Sequence, residues 1–202
     1  MDRLRLHAIP YSTNVGRVLL AAAIKDVEVD LVEHDPADRD ALVALSGQQL
    51  VPVAEFGGEV VADSIAILRR LETERPEPPL WPADPAARAE AEIFVEWFNE
   101  VWKVAPNALD ADVPPPDAAR HTGAARASVG RFEAMLGARR WLAGESVGIA
   151  DVCAYPFLRY AVDEPAAGDD ERFHAILHEL LAPGAHPRLD DWVARVRRLR
   201  AP

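Results

Sequence analysis

A change of hydropathy period across a proline-crowded stretch, Pro76, Pro78, Pro79 and Pro82, constrains this chain more than any other feature. Before it, short alternating runs take turns with helical ones; after it, no convincing strand pattern remains. Leu4, Leu6 and Ala8 are separated by charged or polar residues, which predicts a short strand ended by Pro10. A helix follows over about residues 15–25. Residues 27–33 alternate with period two and predict a second strand, parallel to the first because a helix intervenes. Pro36-Ala37-Asp38 opens a second helix to residue 45. Residues 51–56 and 59–62 read as two strands joined by Gly57-Gly58, a pair suited to a tight hairpin turn. Asp63 then caps a helix running to about residue 75.

Beyond the prolines, helices are expected over 86–104, 117–136, 149–162, 169–181 and 188–199, with Pro85 and Pro187 at helix starts, where the missing amide costs nothing. The predicted organisation is an α/β domain over residues 1–76, a linker over 77–84 and an all-α helical domain over 85–202. Half of the residues are apolar, enough for a sizeable core. A formal charge of −11 argues against a nucleic-acid partner, because phosphate binding draws its affinity from clustered Lys and Arg. The one basic run, Arg195, Arg197, Arg198 and Arg200, closes the last helix, where cations complement the dipole. Cys153 is the single cysteine, so no internal disulfide is possible and a reducing compartment is expected. The residues from Met1 to His7 lack a signal-peptide pattern and nowhere do eighteen apolar residues run together, so a cytoplasmic protein without a membrane partner is expected.

Three short signals carry chemistry. Ser12-Thr13-Asn14 stand where a strand hands over to a helix, so the Ser12 hydroxyl and the first free helical amides share one space that suits an anion. A cysteine thiol has an ordinary pKa of about 8.5, and lowering it by two units needs about 2.7 kcal/mol. A charge-assisted hydrogen bond supplies roughly 1.5–3 kcal/mol and a helix N-terminus roughly 0.3–1 kcal/mol. One hydroxyl at one helix end therefore suffices, and Ser12 need act neither as base nor as nucleophile. The same three residues are also good helix caps, and taken alone that explanation is enough. Val51-Pro52 enters a strand, and in the cis form would turn the Val51 amide and carbonyl towards a peptide ligand. Asp63-Ser64 reads first as a cap, and is equally a carboxylate and hydroxyl pair able to hold the ammonium and carboxylate of an amino acid.

Other constellations read as structural. Arg17, on the first turn of its helix, is expected as a surface salt-bridge donor. His174 and His178 stand four apart, a zinc-compatible spacing, but the HExxH pattern is absent and no metal is expected. Phe94, Trp97, Phe98, Val101 and Trp102 form an aromatic stripe at helical spacing, usual for a core or an interface.

The run from Ser12 to Leu20, then Val51-Pro52-Val53, then Asp63-Ser64-Ile65-Ala66-Ile67, resembles the N-terminal domain of glutathione S-transferases, most closely the serine-type phi and theta classes. Trp141-Leu142-Ala143-Gly144, Ile149-Ala150-Asp151 and the run from His186 to Trp192 resemble the helical C-terminal domain of that family. The resemblance implies a thioredoxin-like α/β domain followed by the helical domain, a homodimer, and glutathione as cosubstrate. It places Ser12 on the thiolate, Val51 and Pro52 on the cysteinyl part, and Asp63 and Ser64 on the γ-glutamyl end. It offers Arg39, with Gln49, for the glycyl carboxylate; Arg39 suits a helix surface equally. Tyr11, Trp97, Phe98 and Trp102 would border a pocket for an apolar electrophile, and the implied role is detoxification by thiol conjugation; heavy use of Ala, Arg, Pro, Asp and Val separately suggests a GC-rich bacterial coding sequence. Isomerisation, dehalogenation or disulfide reduction would start from the same thiolate. Two departures stand out. Leu50 occupies a place where the family often uses a glutamine, and Gly148 stands where a Ser or Thr caps the helix at Ile149, so a weakened cap is expected. A non-catalytic binding protein, or an enzyme using a different small thiol, is the competing expectation.

Overall fold

The computed structural model describes residues 3–199; Met1, Asp2 and Arg200, which entered the readings above, lie outside them. The chain divides between Leu80 and Trp81 into two compact units. The first runs β1 (Arg3–Ala8), α1 (Thr13–Ile24), β2 (Glu28–Glu33), α2 (Asp40–Ser46), β3 (Val53–Phe56), β4 (Glu59–Ala62) and α3 (Ser64–Glu74). Its four-stranded sheet has the order β2-β1-β3-β4, with β1 and β2 parallel and the pairs β1/β3 and β3/β4 antiparallel. This is the thioredoxin-like arrangement, and the parallel pair follows from the intervening α1. Leu4 and Leu6 of β1 are buried while Arg3 and Arg5 between them are exposed, as a half-covered strand requires. Helices α1 and α3 pack together, burying Val18, Leu20, Ile67, Leu68 and Leu71, each contributing about 1.5–3 kcal/mol on leaving water.

Local chemistry sets the boundaries. Gly57 and Gly58 both take positive φ, +59° and +96°, which a two-residue hairpin asks for and side chains with a Cβ resist. The second helix starts at Asp40, not at Pro36. The Asp35 carboxylate accepts the Ala37 amide at 2.8 Å and its carbonyl the Asp38 amide at 3.1 Å, so a side-chain-closed turn outcompetes the first helical turn. Strand β3 starts two residues late because Pro52 has no amide for the ladder.

Lys25, at the end of α1, is only 2% exposed. Its ammonium donates to the carbonyls of Arg75 at 2.6 Å and Pro78 at 2.8 Å and pairs with Glu72 at 2.6 Å. Glu72 in turn accepts the Leu80 amide at 3.0 Å. One buried cation thus ties the first unit's two long helices to the start of the proline-crowded stretch. Lys25→Met, of similar volume, is expected to cost roughly 3 kcal/mol because it removes the countercharge of the Glu72 carboxylate and the donor to two carbonyls; urea unfolding followed by far-UV circular dichroism measures it.

The second unit is all helical: α4 (Pro85–Trp97), α5 (Val104–Asp110), α6 (Pro115–Ala138), α7 (Ile149–Leu158), α8 (Arg172–Leu181) and α9 (Pro187–Arg197). Asp84 caps α4 by accepting the Ala87 amide at 2.9 Å. The single helix expected over 86–104 is broken by a π turn at Phe98–Trp102, in which the Lys103 amide reaches back five residues to the Phe98 carbonyl at 3.1 Å. Pro106 supplies the reason. It cannot donate to the carbonyl of Trp102, and its ring crowds that position, so the helix restarts and Pro106 falls in the new first turn. The Phe98 and Trp102 rings stack at 4.5 Å and meet Phe132 and Phe157 edge-on or tilted, forming the aromatic core of this unit. All ten residues of α7 are buried. No helix among the described residues is long and apolar enough to cross a membrane.

Candidate functional site

The topology gathers the sequence signals at one end of the sheet. His7 of β1 stands opposite Val53 of β3, and Val53 opposite Ala62 of β4. The loop from β1 to Ser12, the Val51-Pro52 entry to β3 and the exit from β4 into Asp63 therefore leave the sheet at the same end. Because β2 runs parallel to β1, its exit, which leads to Arg39, lies there too.

Ser12 is the N-cap of α1 and is half-buried. Its Oγ accepts the Val15 amide at 3.4 Å, a long bond beside the usual 2.9–3.0 Å, and as an acceptor it keeps its own hydrogen for a ligand. Thr13 is buried in the first turn. The preceding Tyr11 is exposed and takes φ of +61°. The Val51-Pro52 peptide is cis, an isomer invisible in the sequence. Asp63 is exposed with φ of +78°, and its Oδ1 accepts the amides of Ile65 at 2.9 Å and Ala66 at 3.0 Å. Backbone in such a sparsely populated region costs about 1–3 kcal/mol, which the two cap bonds offset.

Arg17 corrects the expectation of a surface residue. It is 1% exposed, and its guanidinium donates to the Oγ of buried Ser64 at 3.1 Å. The side chain crosses from α1 to the start of α3, 47 residues on, and puts a permanent positive charge under the helix ends that carry Ser12 and Asp63. No local signal announces this. A lone Arg on an apolar helix face, with no acidic residue three or four positions away, was the one available hint.

Arg39 and Gln49 come together: the Arg39 Nε donates to the Pro36 carbonyl at 3.0 Å and its guanidinium to the Gln49 carbonyl at 3.0 Å. Both residues line a polar cavity of about 300 Å³ with Pro36, Ala37, Asp38 and Asp40. Arg39 keeps guanidinium donors beyond these two bonds, suited to a carboxylate. Gln49 offers its backbone here, and Leu50 stands 65% exposed.

The other three aromatic candidates, Trp97, Phe98 and Trp102, lie in the second unit. Phe98 is fully buried and Trp102 nearly so, because both rings fill the core around Phe132 and Phe157; neither is open to a ligand in this structure. Trp97 is half-buried, packed on Phe94 and Phe132, with Arg131 over its ring at 5.8 Å. His174 is buried and bonded through Nδ1 to Asp169 at 2.7 Å, while the His178 Nδ1 faces the Tyr160 and Asp163 carbonyls. Among the described residues no group of three or more His, Cys, Asp or Glu is arranged to hold a metal ion.

Residues 6–79 match the glutathione S-transferase N-terminal domain and residues 115–195 the C-terminal domain. The chain belongs to the glutathione S-transferase family. It is 36% identical over 107 residues to FtsZ-localized protein A of Caulobacter vibrioides, a match that spans 47% of each chain, about half the length of that relative. It is 29% identical over 167 residues to glutathione S-transferase GstB of Escherichia coli, covering 73% of this chain and 77% of GstB. Among solved structures, rice GST1 in complex with glutathione superposes with a TM-score of 0.74 at 26% identity, over 96% of this chain and 87% of that one.

Proposed function

We propose that this chain is a glutathione transferase in which Ser12 donates a hydrogen bond to the thiolate. The observation that carries this reading is the convergence of Ser12, Val51-Pro52, Asp63-Ser64 and Arg39 at one end of one sheet. Glutathione supplies the nucleophilic sulfur: its thiol gives its proton to solvent, and the thiolate forms a C–S bond to an apolar electrophile while that electrophile's leaving group departs as an anion. The chain's part is to bind and orient. The exposed Asp63 carboxylate meets an ammonium, the Ser64 hydroxyl and amide meet a carboxylate, and Arg39 meets the far carboxylate across the polar cavity. Buried Arg17 adds positive potential beneath both helix ends, favouring a bound anion.

Isothermal titration with glutathione tests this. Saturable binding is expected, weakened at least tenfold by Asp63→Asn, which keeps the acceptor for Ile65 and Ala66 but loses the charge an ammonium needs. Unchanged affinity in that variant would refute the assignment. The second reading, a binding protein without transferase activity, is favoured by the exposed Leu50 in the place of a ligand-contacting glutamine and by a relative named for its localisation to FtsZ. Absence of glutathione binding at millimolar concentration would leave this reading or an enzyme using a different small thiol, and absence of uptake of such a thiol as well would select the binding protein.

A further inference from the structure

Three titratable side chains form a hydrogen-bonded row across the first unit's sheet, outside the residues assigned above. His7 of β1 is 6% exposed. Its Nε2 lies 2.9 Å from the Glu55 carboxylate of β3 and its Nδ1 lies 2.9 Å from the Nε2 of His34. Arg5 also pairs with Glu55, at 3.2 Å. His34 is the residue after β2; its amide donates to the Ala8 carbonyl at 2.8 Å, and from it the chain passes directly into Asp35–Arg39.

Proton counting gives the row a direction. Glu55, ionised beside Arg5, only accepts, so the His7 Nε2 carries hydrogen. In neutral His7 the Nδ1 is then a lone pair, and the His34 Nε2 must donate to it. A proton added to His7 is absorbed without breaking anything: the His7 Nδ1 becomes the donor and the His34 hydrogen moves to the far ring nitrogen. A second proton cannot be absorbed. Both facing nitrogens then carry hydrogen, two cations stand in contact, and the 2.9 Å bond has to open.

We propose that His34 is an acid-released latch: its neutral ring, tied through His7 to Glu55, anchors the segment that carries Arg39, and its protonation beside an already protonated His7 lets that segment go. The groups facing His34 are His7 on β1, Glu55 on β3 through His7, Arg5 beside Glu55, and Asp38 on the segment itself. Burial and the charge of His7 hold His34 below the ordinary histidine value, with Asp38 pulling the other way. A histidine depressed in the folded state contributes stability that is complete above about 6.5 and is lost as pH falls through the folded value. The consequence for the cavity of Arg39 and Gln49 rests on the thiol reading; the latch itself does not.

Histidine ring titration and amide exchange by NMR on the whole chain test the latch. After correction for intrinsic rates, exchange at His34 and Asp38 is expected to accelerate at least tenfold between pH 7.5 and pH 5. His34→Gln, whose amide can donate or accept toward His7 but cannot titrate, should remove most of that acceleration. Asp38→Asn, on an exposed turn, should move the His34 midpoint to lower pH, and it decides the matter if His34→Gln fails to fold at pH 7.5. An ordinary His34 midpoint near 6.5 that ignores Asp38→Asn, or acid acceleration unchanged in His34→Gln, would overturn the latch. Glutathione titrations at the two pH values separate the two ideas: intact latch behaviour with no glutathione binding at either pH supports the latch and refutes the thiol reading alone.

Discussion

Ser12→Ala is expected to lower kcat/KM for conjugation of glutathione to an aryl halide roughly tenfold to a hundredfold, while the melting temperature falls by only a few degrees. In the proposed function the hydroxyl's bond to a thiolate would be charge-assisted and would contribute about 1.5–3 kcal/mol, and each 1.36 kcal/mol of barrier is a factor of ten. The same hydroxyl's structural bond, to the Val15 amide, is 3.4 Å long, so loss of the cap falls at the low end of about 0.5–2 kcal/mol. A chain of this size loses about 2–4 °C per kcal/mol. The pH profile gives an independent check, since removing the donor raises the pKa of the bound thiol by one to two units on the same arithmetic. The rate deficit should therefore narrow towards pH 9. A deficit that stays constant with pH, or a large fall in melting temperature without loss of rate, would mean that Ser12 is a cap and nothing more.

The sequence carried the local part of this site and missed its long-range part, for physical reasons that individual residues make plain. Gly57-Gly58, the Asp63 cap and the Pro85 and Pro187 helix starts were legible because each acts on backbone groups within four residues of itself. The first unit's order of strands and helices followed from periodicity alone. Arg17 was misread because its partner, Ser64, is 47 residues away, and Lys25 went unremarked because it satisfies carbonyls 50 and 53 residues away. The cis state of Val51-Pro52 has no compositional mark. Phe98 and Trp102 showed the right period for both a core and a pocket wall; only the packing of Phe132 and Phe157 against them resolves their surroundings. The π turn between them was hidden because Pro106 acts on a carbonyl four residues back, inside a stretch whose hydropathy reads as uninterrupted helix.

Asp151→Ala is expected to be the most destabilising single substitution, costing about 3–5 kcal/mol and lowering the melting temperature by about 10 °C or more. The carboxylate has no exposed surface. Its Oδ1 accepts the Leu142 amide at 3.0 Å and the Trp192 indole at 2.7 Å, and its Oδ2 accepts the Gly148 amide at 3.1 Å. One side chain thereby joins the loop before α7, the start of α7 and the middle of α9. It also explains how α7 tolerates Gly148: the glycine has no side chain to cap the helix, but the return half of the capping box, from the N3 carboxylate to the N-cap amide, is intact. Removing the carboxylate leaves three buried donors without acceptors, each costing roughly 1–3 kcal/mol.

The same residue makes a signed pH prediction. Burial pushes Asp151 up to about 6, against the bonds from Leu142, Trp192 and Gly148 that favour its charge. A carboxyl raised above its unfolded value of about 3.9 adds stability that is complete below that value and is lost as pH rises through the folded one. Asp151→Asn keeps an acceptor for Leu142 and Trp192 but cannot ionise. The stability gap between wild type and Asp151→Asn, read from denaturant midpoints, is therefore expected to widen by roughly 1 kcal/mol as pH falls from 7 to 5. Burial and hydrogen bonding pull this carboxyl in opposite directions, and the sign of that change shows which is stronger. A gap that narrows on acidification would mean the three donors hold Asp151 ionised, with the charge itself part of what keeps the helical unit together.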